Sequence, residues 1–242
     1  MSSVFERGHH RRIAAVLEAL DGDRLRQAHC WFGGGTAIAL AHGEYRESVD
    51  IDLMVSDVAG YRCLRQMLAG RTDLTPILKA GRTSPTVTRA LRADQYGIRT
   101  WLEVDGVPIK FEIVLEGRIE FDTPRVRDTI CGIATLTRSD LVASKLLANA
   151  DRWADDSAFS RDALDLAMMA PAPRTLRPAI AKARSAYGDV VVRDLQRALE
   201  ALHRRPQYLA RCMRAMSMTL PPALLQQRLR ALRLRLQRME QA

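Results

Sequence analysis

The chain has 242 residues, room for one large domain or two small ones with a proper core. Its 47% apolar and 27% charged residues are an ordinary globular balance, and no apolar run approaches the ~20 residues of a membrane span. A net charge of +9, with 37 Lys and Arg against 28 Asp and Glu, favours a polyanionic partner such as nucleotide, RNA or DNA, although an arginine-rich composition also follows from a GC-rich genome.

The opening residues carry no apolar signal core, so a cytoplasmic protein is expected. Cys30, Cys63, Cys131 and Cys212 are widely spread with no Cys-x-x-Cys pair, which points to reduced, mostly buried thiols rather than a zinc site or disulfides. Ile13, Val16, Leu17 and Leu20 stand at helical spacing, predicting a helix over Phe5–Leu20, and His9-His10-Arg11-Arg12 reads as a solvated basic patch near its start. Cys30-Trp31-Phe32 is the expected first core strand. Gly33-Gly34-Gly35 then turns into a short helix, Thr36–His42.

Val49–Val55 is strand-like with two carboxylates, Asp50 and Asp52, two residues apart. Side chains at that spacing share one face of a strand, leaving Val49, Ile51 and Leu53 for the core. Two like charges this close repel unless a cation sits between them. A hard divalent ion such as Mg²⁺ suits them, because it takes oxygen ligands and leaves positions open for phosphate. The glycines fit the same chemistry. A Gly-rich turn opening a helix offers backbone N–H groups to an anion at close approach, and Thr36 adds a hydroxyl. Arg46 is read as positioning a triphosphate, with an ion pair to Glu44 or Glu47 as the plainer alternative.

Downstream, Ser56-Asp57 is an N-cap signal for a helix through Leu68. Leu74–Leu78 reads as a strand, and Lys79–Tyr96 as a polar, basic connection. Asp105-Gly106 between alternating apolar runs predicts a hairpin of Ile98–Val104 and Val107–Leu115. Thr129–Leu136 is a further strand or edge. Ser139 and Ser160 are expected caps for helices, the first Asp140–Trp153 and the second opening at Arg161. Past Pro171 the chain becomes arginine-rich and helical, with helices expected over Leu176–Tyr187, Val190–His203, Tyr208–Met216 and Ala223–Met239. The last places Leu225, Leu229, Leu232 and Leu236 on one face.

The ordered set GGGTAIAL, then Arg46-x-Ser48-x-Asp50-Ile51-Asp52-Leu53, resembles the AbiEii/AbiGii abortive-infection toxins, which are nucleotidyltransferase-like members of the DNA polymerase β-like superfamily in bacterial toxin–antitoxin pairs. The resemblance implies an α+β fold, with a polymerase β-like core of mixed sheet and flanking helices over residues 1–137. A helical domain over 138–242 would contribute to the active site. It implies Gly34, Gly35, Thr36, Arg46 and Ser48 as nucleotide-binding residues and Glu112 as a third acidic ligand beside Asp50 and Asp52, together holding two Mg²⁺ ions. It also implies Lys145, Asp162 and Asp165, the last two within an Arg-Asp-x-x-Asp-Leu run, as catalytic. A Lys110–Glu112 salt bridge and a set of helix-surface ion pairs are the plainer alternatives for these downstream residues. The expected reaction moves NMP from NTP to an acceptor hydroxyl, with RNA, in particular the tRNA 3′ end, as acceptor and a cognate antitoxin as a partner. Protein AMPylation, kinase-like phosphoryl transfer and a non-catalytic binding protein of the same fold remain the alternatives.

Overall fold

The computed structural model describes residues 5–240, in two compact units: one of residues up to 44 and 48–137, the other of 45–47 and the chain from 138 onward. In chain order the first unit holds α1 (Gly8–Ala19), α2 (Gly22–Gln27), β1 (Cys30–Phe32), α3 (Gly34–Ala41), β2 (Asp50–Val55), α4 (Val58–Leu68), β3 (Thr86–Ala93), β4 (Gly97–Val104), β5 (Val107–Leu115), β6 (Thr129–Ile130) and β7 (Ile133–Ala134). Its five-stranded sheet runs β1-β2-β5-β4-β3. β2 and β5 are parallel; the other neighbours are antiparallel.

Alternation makes the sheet two-sided. On β2, Ile51, Leu53 and Val55 are fully buried while Asp50, Asp52 and Met54 are partly exposed. The buried side continues through Phe32, Ile98, Leu102, Ile109, Phe111 and Ile113, and shares one core with Ile13 and Leu17 of α1, Leu25 of α2 and Leu64 and Leu68 of α4. The opposite side is lined in register by Asp50 beside Lys110, and by Asp52 beside Glu112 and then Arg99.

The second unit is helical: α5 (Arg138–Arg152), α6 (Arg161–Met169), α7 (Pro173–Tyr187), α8 (Val190–Arg204), α9 (Pro206–Ala215) and α10 (Pro222–Glu240). α5 packs against α6, α7 and α8, and α10 against α6 and α8. Leu225, Leu229, Leu232 and Leu236 of α10 are buried, as their spacing predicts. Among the described residues no helix is long and apolar enough to cross a membrane.

Several local expectations change. Val49 precedes β2 and is 48% exposed, so it takes no part in the core. Leu74–Leu78 is not a strand: Thr75–Ile77 forms a single 3-10 turn, because Pro76 fixes φ and lacks an N–H for a ladder. The polar stretch after Lys79 contains edge strand β3, missed because its one apolar face, Val87, Leu91 and Ala93, is interrupted by Arg89 and only partly buried. Ser160 does precede α6 but makes no cap hydrogen bond; its hydroxyl pairs with Tyr208 Oη at 3.1 Å. Cys63 is exposed and Cys131 half-buried, leaving Cys30 and Cys212 as the buried thiols.

Candidate active site

The glycine turn and β2 meet through the backbone. Gly33 N–H donates to Asp52 O at 2.9 Å. Gly34 has φ +66°, and a Cβ placed on it would lie 2.1 Å from Asp52 Oδ2. Only glycine both adopts that conformation without strain and lets the Asp52 carboxylate come this close. Gly35 follows on the first turn of α3, and its surface stays partly open.

Thr36 is buried, and its hydroxyl faces the main chain of β2. Thr36 Oγ1 donates to Asp50 O at 2.5 Å, so its single proton is spent there, and the 2.8 Å contact with Ser48 Oγ is a bond in which Ser48 donates. Thr36 and Ser48 therefore fix the entry to β2 at the main chain of Asp50, its first residue. His10 extends this brace. Its ring is fully buried, with Nδ1 2.7 Å from Glu44 Oε1, while Nε2 accepts from Ser48 N–H at 3.1 Å. Those two partners select the tautomer: Nδ1 carries the proton and donates to Glu44. Burial pushes the Glu44 carboxyl up, but N–H bonds from Glu6 and Arg7 and the His10 ring outweigh it and hold the group below its usual range. The basic tract around His9 to Arg12 is therefore not wholly a solvated face. The only sequence signal for His10 is its place on the buried stripe of α1, three residues before Ile13.

Glu112 stands where the sheet register puts it, directly beside Asp52. Its Oε2 accepts from Lys110 Nζ at 2.6 Å, and its Oε1 lies 3.7 Å from Arg99 Nε. The fit to a metal follows from these facts. Magnesium is commonly held by one or two carboxylates with phosphate and water completing the shell, and Asp50 and Asp52 supply such a pair from one strand face. Among the described residues no three acidic, His or Cys side chains gather as a metal cluster. The two aspartates are donors of the kind a hard cation takes, and Glu112 beside them is in an ion pair with Lys110.

Arg46, Lys145, Asp162 and Asp165 all fall in the helical unit, where they form one buried charge cluster. Arg46 grips Asp165 with two bonds, Nε to Oδ1 at 2.7 Å and Nη2 to Oδ2 at 3.0 Å, and it pairs with neither Glu44 nor Glu47 by side chain. Lys145 Nζ lies 2.7 Å from Asp165 Oδ2 and 2.9 Å from Asp162 Oδ1. Arg152 closes the far side on Asp162 through Nε at 2.7 Å and Nη2 at 2.9 Å. Tyr45 Oη also donates to Asp165. Three cations meet two carboxylates, and the neighbouring Asp151 also acts on Arg152. Burial alone would favour the neutral forms, yet Lys145 and Arg152 pull the Asp162 carboxyl far below its usual range, and Lys145 and Arg46 do the same for Asp165. Burial likewise works against the Lys145 ammonium, but Asp162 and Asp165 raise its pKa. Arg152 and Tyr45 were not singled out by the sequence; Arg152 had a signal in its place seven residues beyond Lys145, two turns along the same helix.

A mixed sheet that sets an Asp-x-Asp pair against a glycine turn opening a helix, followed by a helical unit, defines a nucleotidyltransferase. The chain belongs to the family described as nucleotidyl transferase AbiEii toxin, type IV TA system, whose model matches residues 16–236. No curated protein matches the chain. Two solved structures resemble it. One is a Helicobacter pylori protein put forward as a nucleotidyltransferase, 15% identical over 96% of this chain and 93% of that one, with TM-score 0.46. The other is JHP933 from Helicobacter pylori, 16% identical over 96% and 90%, with TM-score 0.48. Likeness at that level carries no argument about this chain, and the family match does.

Proposed function

We propose that the enzyme is the toxin of a toxin–antitoxin pair and moves a nucleoside monophosphate from NTP to an RNA hydroxyl, with the tRNA 3′ end as the favoured acceptor, in the cytoplasm. The observation that carries the reading is the close approach of Gly34 to the Asp52 carboxylate in a chain of this family. The acceptor hydroxyl releases its proton to water as its oxygen bonds to the α-phosphorus, the α–β phosphoanhydride bond breaks, and pyrophosphate leaves with its electron pair. Asp50 and Asp52 would hold Mg²⁺, which when bound screens the triphosphate and stabilises the charge on the leaving pyrophosphate. Glu112 would join as a further ligand only by exchanging Lys110 for the ion.

Gly34 and Gly35 would present backbone to the phosphates, and Thr36 and Ser48 would keep β2 in place beneath them. In the helical unit, Lys145 would offer its ammonium to a phosphate, with Asp162 and Asp165 orienting it, and Arg46 would act as a positioning residue through Asp165. The basic balance of the chain supports a polyanionic acceptor. A cognate antitoxin is the expected protein partner.

The test is incubation with Mg²⁺, total tRNA and each NTP in turn, labelled at the α-phosphate, with Asp52→Asn alongside. Label on RNA from one NTP, lost in the variant and on chelation of the metal, is the expected result. Label on protein would make the enzyme an AMPylator, and no label from any NTP would overturn the reading.

A further inference from the structure

A basic feature of the helical unit uses none of the residues placed in the candidate active site. A cleft of about 640 Å³ opens where α8 ends and α9 begins, lined by Arg204, Arg205, Pro206, Tyr208, Arg211 and Arg214. Between Glu200 and Glu240 the sequence has nine arginines and no Asp or Glu. Two carboxylates reach this wall: Asp156, gripped by Arg205 and near enough to Arg211 to feel its charge, and Glu200, one turn before Arg204 and shared with Arg233. Arg211 and Arg214 are exposed and make no ion pair among the described residues.

Two of the guanidiniums are held against aromatic rings; Arg205 is already paired with Asp156, which leaves Arg211 as the one without a carboxylate bound to it. Arg205 lies 4.4 Å from the centroid of Tyr208, and Arg211 5.4 Å from that of Phe159. Tyr208 is itself buried and tied to Ser160. Stacked, planar guanidiniums lose little freedom on binding and match phosphate oxygens two at a time. The choice of ligand follows from what the wall lacks. Protein partners dock through apolar or aromatic anchors sunk in pockets, and here the aromatic ring is covered and the lining otherwise holds only Pro206 and polar side chains. Nucleic-acid backbones need charge and little apolar surface.

We infer that this cleft is a docking site for the RNA phosphate backbone, separate from the residues that carry the chemistry. The inference rests on the RNA reading above and adds to it where the acceptor is held. Its role is affinity without base choice, because guanidinium–phosphate contacts position a strand and carry no sequence information.

The experiment measures binding of fluorescein-labelled total tRNA by anisotropy over a series of NaCl concentrations, without NTP or Mg²⁺. Three proteins are compared: wild type, Arg211→Ala/Arg214→Ala, and Arg174→Ala/Arg177→Ala as a control of equal charge loss on exposed positions of α7. Thermal melts confirm that each folds, and single Gln variants at 211 and 214 substitute if the double variant does not. The expected result is a loss of affinity of about tenfold or more for the cleft variant alone, with the salt slope reduced by roughly 1.4 to 1.8, as two lost phosphate contacts require. Wild-type binding with no loss in the cleft variant, or equal loss in the control, overturns the cleft and leaves RNA as acceptor standing. No tRNA binding by the wild type overturns both. Displacement of tRNA by polyglutamate as effective, charge for charge, as by unlabelled RNA would assign the cleft to an acidic protein and also overturn the inference.

Discussion

At Gly34 two constraints coincide, a φ of +66° and an Asp52 oxygen 2.1 Å from where a Cβ would stand. Gly43 has a similar φ of +75° with nothing within 4 Å of its Cβ position, so it isolates the first constraint from the second. Gly43→Ala should cost only the left-handed strain of about 1–2 kcal/mol and keep activity. Gly34→Ala adds a displaced carboxylate, and a shift of about 1 Å at a reacting centre costs on the order of 10²-fold in rate. Melting temperature and label transfer, measured on both variants, separate the two; equal activities would mean that the close approach to Asp52 does not matter. The glycine cluster was legible in the sequence, and so was the Asp pair, because both are local patterns. That Gly34, rather than Gly33 or Gly35, meets the carboxylate was not legible, because it depends on the antiparallel pairing of β1 with β2. His10 was hidden for the same kind of reason: its partners Glu44 and Ser48 lie 34 and 38 residues away.

Among the elements, those with a local cause were readable. The hairpin of β4 and β5 turns on Asp105 and Gly106, both at positive φ (+51° and +72°), the conformation that the Asp-Gly pair favours. α4 starts at Asp57, whose carboxylate accepts from Ala59 and Gly60 N–H. α6 is the exception, since Ser160 looks like a cap and is not one. It sits in the left-handed region and its hydroxyl pairs with Tyr208 Oη, so its energy belongs to the joint between α6 and α9. Ser160→Ala and Tyr208→Phe should each destabilise by about 1 kcal/mol, the usual net worth of a neutral hydrogen bond. The double variant should lose less than the two single losses together, because both remove the Ser160–Tyr208 bond, while Tyr208→Phe also removes the hydroxyl's bond with Cys212. Additive losses in urea unfolding would show instead that each hydroxyl has a separate partner and that Ser160 acts at the helix start after all.

For the molecule as a whole, a division at 137/138 was expected from the family resemblance alone, since the change to arginine-rich helices begins only at Pro171, and nothing in the sequence assigned Tyr45–Glu47 to the second unit. That assignment depends on Arg46 and Asp165, 119 residues apart, each visible inside its own motif with no local sign that one grips the other. The pairing also sets how the protein meets acid. Asp165 has its folded pKa depressed below the unfolded value of about 3.9, so its contribution to stability is complete above that value and is lost as pH falls through the folded one. Asp165→Asn removes the titration and leaves Arg46 and Lys145 short of a counter-charge in a buried site, a change that costs about 3–5 kcal/mol at neutral pH. The unfolded wild-type chain takes up a proton at this position near pH 4 and the folded one does not, so wild-type stability declines there while this part of the variant's does not. The gap between the two proteins should therefore be constant from about pH 5 to 8 and narrow as pH drops below about 4. Urea midpoints taken across that range decide it: curves that stay parallel into acid would mean that Asp165 is not the ionised centre of the cluster, and the roles given to Arg46 and Lys145 through it would fall with it.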